Sequence, residues 1–158
     1  LVVDESFVDF AEEADSTLIE QDILDANPHL FVMKSISKSY GVPGLRLGVL
    51  ASGNTEQIAM MKKDVSIWNI NSFAEFYMQI AEKYRKDYTN ALVLFKQERT
   101  RFVSELANIQ GLRVIPSQAN YVMVELVGGK TAKELTSAMI LSYNLACNTF
   151  KALALFSC

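Results

Sequence analysis

Five residues of this 158-residue sequence carry side chains able to work together chemically: Asp4, Ser35, Ser37, Lys38 and Arg46. A lysine amine can capture a carbonyl carbon as a Schiff base. A carboxylate can keep a heterocyclic nitrogen protonated, which strengthens the ring as an electron sink. An arginine grips phosphate through the paired donors of its planar fork, and neighbouring hydroxyls add further bonds. Gly41 and Gly44 lie between the lysine and the arginine, where they let the backbone turn tightly. Each residue taken alone has a plainer reading. A lysine in a polar loop is usually solvated, Asp4 can simply close a strand, and Arg46 can form a surface ion pair of little value. The joint pattern is what points to a site.

The elements around these residues decide whether they meet. Leu1-Val2-Val3 is a short apolar run that predicts a buried strand ending at Asp4. Thr17 and Glu20 have capping-box spacing and predict a helix to about Ala26, ended by Asn27-Pro28. Leu30 to Met33 predicts a second strand. The polar, turn-rich stretch 34–44 predicts a loop with at most a short helix, and Arg46 to Ala51 a third strand. Asp4 and Ser35–Lys38 thus lie at the carboxyl ends of two strands, where open α/β sheets bind ligands.

Further along, Asn54 with Gln57 starts a helix running to about Lys63. Ile70, Phe73, Phe76, Tyr77, Ile80 and Ala81 have helical spacing within 69–84. Leu92, Phe95, Phe102, Val103, Leu106 and Ile109 form the stripe of a longer helix that Gly111 should stop. Strands follow at Leu112–Ile115 and Tyr121–Leu126. Thr131 with Glu134 caps a last helix to about Tyr143. Strands alternating with helices predict α/β layering. Length gives a prior of about one domain, but the long helix reads as a bridge between two lobes, residues 1–86 and 87–158.

Composition narrows the classes. With 15 Lys+Arg against 18 Asp+Glu the formal charge is −3, which argues against a broad nucleic-acid footprint. At 50% hydrophobic and 21% charged, the chain reads as globular and not disordered. No apolar run reaches the roughly 18 residues of a membrane span, and the start does not read as a secretory signal. Cys147 and Cys158 read as reduced thiols of a cytoplasmic protein, a disulfide between them being the lesser alternative. The single histidine, His29, reads as a solvated turn residue. Gly41, Gly44 and Gly48 lack the spacing of a dinucleotide fingerprint.

The amine, carboxylate, hydroxyls and guanidinium together fit pyridoxal 5'-phosphate (PLP). The surrounding motifs, Asp4-Glu5-Ser6-Phe7-Val8-Asp9-Phe10 and Ser35-Ile36-Ser37-Lys38-Ser39-Tyr40-Gly41-Val42-Pro43-Gly44-Leu45-Arg46-Leu47-Gly48, resemble the class I/II aminotransferases of PLP fold type I. Within that family the likeness is to histidinol-phosphate aminotransferases and threonine-phosphate decarboxylases. The eight-residue step from Lys38 to Arg46 matches the family, and Pro116-Ser117-Gln118-Ala119-Asn120-Tyr121-Val122-Met123-Val124 resembles the opening of its small-domain sheet. The likeness covers most of residues 1 to about 145.

The resemblance implies that Asp4 pairs with the pyridine nitrogen, that Lys38 forms the internal aldimine and then shuttles protons, and that Ser35 and Arg46 hold the phosphate with Ser37 beside them. It places Asn120 on the substrate side, with no firm role. It implies an amino donor and a keto-acid acceptor as substrates and a homodimer as the working form. Such modules also occur behind a nucleotidyltransferase domain.

Three departures qualify this expectation. Phe7 stands where many relatives have a tyrosine that touches the ring oxygen, although the decarboxylase branch often has phenylalanine. The family's earlier half, with its phosphate-binding turn, stacking aromatic and ring-oxygen asparagine, has no counterpart. Nor has its C-terminal carboxylate-binding arginine, and residues 148–158 do not resemble the expected end. The expectation is therefore the end of the large-domain sheet plus an α/β small domain, performing transamination in the parent enzyme. Decarboxylation, or an inactive fragment, is the alternative.

Overall fold

The computed structural model describes residues 1–13, 17–129, 131–143, 148–150 and 153–157. Its elements run β1 (Val2–Asp4), α1 (Gln21–Ala26), β2 (Phe31–Ser35), α2 (Ile36–Ser39), β3 (Gly48–Ala51), α3 (Thr55–Asp64) and α4 (Ser72–Ala81), then α5 (Arg85–Ala107), β4 (Leu112–Ile115), β5 (Tyr121–Leu126), α6 (Ala132–Tyr143), β6 (Asn148–Phe150) and β7 (Leu153–Ser157). Single 3-10 turns occupy Val8–Phe10, Pro43–Leu45 and Glu82–Tyr84. The chain divides into two compact units, Leu1–Leu92 and Val93–Cys158, and the division falls inside α5. Among the described residues no helix is long and apolar enough to cross a membrane.

Unit 1 is built on a three-stranded sheet in the order β1-β2-β3. β1 and β2 are parallel, with Asp4 opposite Met33. β3 returns antiparallel, with Ser35 opposite Gly48. This register brings the ends of β1 and β2 and the start of β3 to one edge. The core below it is Leu24, Leu30 and Val32, with Val3, Leu18, Ile19, Ile23 and Ala51 packed around them. Val32 is wholly buried, whereas Met33 beside it is 43% exposed, the period-2 alternation of a strand with one face on a core. Gly53 lets the entrance to α3 lie against α1: a Cβ there would stand 2.2 Å from the Leu24 carbonyl oxygen.

Unit 2 has an antiparallel sheet in the order β4-β5-β7-β6. Its core sets Val122 and Val124 of β5 against Leu106 of α5, joined by Phe102, Val103, Leu112, Val114 and Leu135. Alternate residues of β5 therefore face the helix. Within the stretch after α6, Asn148–Phe150 forms β6 and Leu153–Ser157 forms β7, which lies between β5 and β6. An apolar Leu153-Ala154-Leu155-Phe156 run suits an interior strand. Cys147 and Cys158 lie outside the described residues.

Two caps form as the spacing predicts. Thr131 and Glu134 exchange reciprocal bonds at the start of α6, and the Asn54 side chain accepts from the Gln57 amide at the start of α3. The box expected at Thr17 and Glu20 does not form. Glu20 is the N-cap of α1 but makes no side-chain bond there. Thr17 instead donates to Glu5 Oε2 (2.8 Å), and the Leu18 amide donates to Glu5 Oε1 (2.6 Å). A buried carboxylate twelve residues upstream of Thr17 outcompetes the local partner, because it would otherwise lie unsatisfied. The third strand begins at Gly48 and not Arg46, since Arg46 takes a left-handed conformation (φ 55°) that cannot join a ladder. The stripe of α5 stops short of Ile109, which lies past the helix end and is 51% exposed.

Candidate active site

Asp4 ends β1, and the chain turns at once. Ser6 donates both its amide (2.8 Å) and its hydroxyl (2.5 Å) to Asp4 Oδ1. An aspartate bonded to the residue two further on is an Asx turn, a motif that the short side chain makes easily. Ser6 is buried, and its hydroxyl oxygen also accepts the Ser35 amide at 3.0 Å. One small side chain therefore ties the end of β1 to the end of β2. The Ser6 hydroxyl first, then the Ser6 amide, hold the Asp4 carboxyl below its ordinary value; slight desolvation opposes them, and the Lys38 charge adds to them. Asp4 is thus anionic at neutral pH, and Lys38 is near enough to act on it.

Lys38 sits on the four-residue helix α2. Ser35 is its N-cap and accepts from the Ser37 amide, while the two hydroxyls lie 2.7 Å apart. The Lys38 amine stands 4.0 Å from the centre of the Phe7 ring, a cation–π distance. Phe7 follows Ser6, so the turn that fixes Asp4 also sets this ring beneath the amine. Gly41 adopts φ 65° just beyond α2, where other residues are strained.

Arg46 reaches the same edge along the backbone. The Ile36 amide donates to Leu47 O (3.3 Å), and Gly48 pairs with Ser35. Its side chain is exposed, and among the described residues no hydrogen bond or ion pair ties it down. The structure therefore gathers Asp4, Lys38, Ser35 and Ser37 into linked turns and brings Arg46 to their edge without contact. Asn120 belongs to unit 2, in a turn held by Ser117, whose hydroxyl donates to Tyr121 O.

Sequence reasoning overlooked Ser6, although an Asp-x-Ser step after a strand is a readable Asx signal. It also overlooked the Lys34–Asp9 ion pair at 2.5 Å, with each side chain 16% exposed, because nothing in the spacing joins residues so far apart.

The donor set suits PLP: an amine on a short helix, an anionic carboxylate at the neighbouring strand end, paired hydroxyls and a guanidinium at the edge.

The family described as aminotransferase class I and II matches residues 1–156, and the chain belongs to that PLP-dependent enzyme family. It is 37% identical over 145 residues to a CMP-5'-(3-aminopropyl)phosphonate synthase of Streptomyces rubellomurinus, covering 92% of this chain and 23% of that protein. It is 32% identical to an L-serine phosphate decarboxylase of Sulfurospirillum multivorans, covering 94% of this chain and 39% of that one. The fold matches the histidinol-phosphate aminotransferase of Clostridium acetobutylicum with a TM-score of 0.85 at 26% identity, over 99% of this chain and 48% of that structure. The chain therefore spans well under two thirds of the proteins it resembles, and its architecture is part of the fold-type-I α/β fold.

Proposed function

We propose that this chain carries the lysine-bearing part of a PLP site that transaminates an amino acid or amino-phosphate compound. The single observation that carries the reading is the Ser6 hydroxyl, which bonds both the Asp4 carboxylate and the Ser35 amide and so ties the Asp4 turn to the short helix carrying Lys38. When bound, PLP supplies an electron sink for the bonds at the substrate's α carbon. Asp4 would hold a proton on the cofactor's ring nitrogen. Lys38 would bind the cofactor covalently and later move a proton to or from the substrate carbon. Ser35 and Arg46, with Ser37 beside them, would bind the phosphate.

Unit 1 would be part of the cofactor-binding large domain and unit 2 the small domain, in a cytoplasmic homodimer. A fused nucleotidyltransferase domain fits the 23% share of the synthase that the chain covers. Decarboxylation is the second reading. It is favoured by Phe7 in place of tyrosine and by the 32% identity with an L-serine phosphate decarboxylase.

The deciding measurement is the absorption spectrum of the protein with added PLP, beside Lys38→Ala, followed by borohydride trapping and peptide mapping. The expected result is a saturable band, trapped on Lys38 and lost in the variant. Equal, weak labelling of many lysines would show no competent site. Product analysis then separates the two reactions: a keto acid for transamination, carbon dioxide for decarboxylation.

A further inference from the structure

Among the described residues of unit 1, three buried side-chain atoms complete no hydrogen bond: Asp9 Oδ2, Ser39 Oγ and the Tyr88 hydroxyl oxygen. They come from three separate stretches. Asp9 lies in the 3-10 turn after β1. Ser39 is the last residue of α2, directly after Lys38. Tyr88 sits in the first turn of α5. The other oxygen of Asp9 is paired with Lys34 at 2.5 Å, which fixes the direction of the carboxylate. The Tyr88 ring lies flat on Tyr40, with centres 4.1 Å apart and 4° between planes, and its hydroxyl faces Ser39, Asp9 and the Tyr40 hydroxyl.

Buried polar atoms rarely stay unpaired, since each costs about as much as a lost hydrogen bond. The donors and acceptors here match. A tyrosine hydroxyl can donate one bond and accept another at once, a serine hydroxyl can donate, and a carboxylate oxygen only accepts. Ser39 donating to Tyr88, and Tyr88 to Asp9, satisfies all three atoms, and the Asp9 carboxylate is a stronger acceptor for the one Tyr88 proton than the neighbouring Tyr40 hydroxyl.

We propose that Tyr88 is a positioning residue, whose hydroxyl joins Ser39 to Asp9 in one chain that fixes the turn carrying Lys38. Burial keeps the Tyr88 hydroxyl protonated, and hence able to donate, throughout the neutral range. The stacked Tyr40 closes the same turn, with its amide donating to Ile36 O at 3.1 Å. The inference rests on the reading of Lys38 as the cofactor lysine, but it concerns only how that lysine is held.

The test uses the full chain and two single variants. Tyr88→Phe keeps the stacked ring and removes the hydroxyl, and Ser39→Ala removes the other donor. Amide exchange without cofactor is read over 36–41. Exchange about tenfold faster is expected in each variant, the cost of one lost bond, with no further gain in the double variant. Trapping of PLP on Lys38 is then compared with trapping on the other lysines. It should fall by about the same factor in both variants, with labelling elsewhere unchanged, an outcome that general loosening of the fold would not give. Thr89→Ala, on the exposed side of the same helix turn, should match the wild type in both readouts.

Wild-type exchange over 36–41 in Tyr88→Phe would overturn the proposal. So would faster exchange with Lys38 trapping unaffected. Should Tyr88→Phe fail to fold, Ser39→Ala tests the same network through its other donor, with the same two outcomes. A wild-type chain that shows no preference for Lys38 would overturn the cofactor reading, leaving the exchange data to decide the network.

Discussion

Arg46 occupies a left-handed backbone conformation between Gly44 and Gly48, which would take it without strain. A residue with a side chain costs about 1–2 kcal/mol there, so the guanidinium is kept at the expense of the local backbone. Arg46→Gly should accordingly leave the fold as stable, or up to about 1 kcal/mol more stable, while weakening PLP binding. A thermal melt beside a PLP titration checks both halves, and a drop in melting temperature with unchanged affinity would contradict them. Asp4 offers a second check. Its carboxyl is depressed first by the Ser6 hydroxyl, so Ser6→Ala should raise the midpoint at which Asp4 titrates, observable by NMR. The sign follows from linkage. A depressed carboxyl stabilises the fold above its unfolded value, and that contribution is lost as the pH falls through the folded value. Ser6→Ala should therefore lose part of it. Asp4 and Lys38 were legible because an acid and an amine at two strand ends are readable from types and spacing. The role of Glu5 was not, because a carboxylate reaching forward to Thr17 and Leu18 overrides what a local capping pattern predicts.

At the scale of elements, two junctions determine whether the strand ends meet. Gly53→Ala would push a methyl group into the backbone of α1, which cannot rotate away as a side chain could. A loss of about 2–3 kcal/mol is expected in denaturant unfolding. Asn71 caps α4 by accepting from the Ala74 amide (2.9 Å), and its own amide donates to Leu45 O (3.0 Å), next to Arg46. Asn71→Ala should cost about 1–2 kcal/mol, while Asn71→Asp should recover the cap but not the bond to Leu45. If the two variants proved equal in stability, the cap would not be the dominant contact. Periodicity located α4 but not what covers it. Its apolar spacing suggested a core face, yet Phe73 and Phe76 are 79% and 60% exposed and only Ala74 is buried. Hydrophobic spacing shows that a face wants a partner and is silent on whether the same chain supplies one.

Across the whole molecule, each unit has its own small core, and large apolar residues lie outside both. Ile67 and Trp68 are 93% and 88% exposed, and Met60 is 60% exposed. Trp68 is the sole tryptophan, so the surface can be followed directly. Its emission should resemble that of a solvated indole and be open to iodide quenching, and it should shift to the blue when that surface is covered. Blue, unquenchable emission from the chain at high dilution would contradict this exposure. The sheet of unit 1 adds a consequence of another kind. Among the described residues its order β1-β2-β3 leaves β1 and β3 as outer strands, each paired on one side only, and Val49 and Leu50 of β3 are roughly half exposed. Unpaired backbone beside exposed apolar side chains is a template for edge-to-edge growth. The same open sheet able to accept further strands in a longer polypeptide makes this one prone to accept strands from its neighbours when concentrated. Val49→Lys should slow that intermolecular assembly.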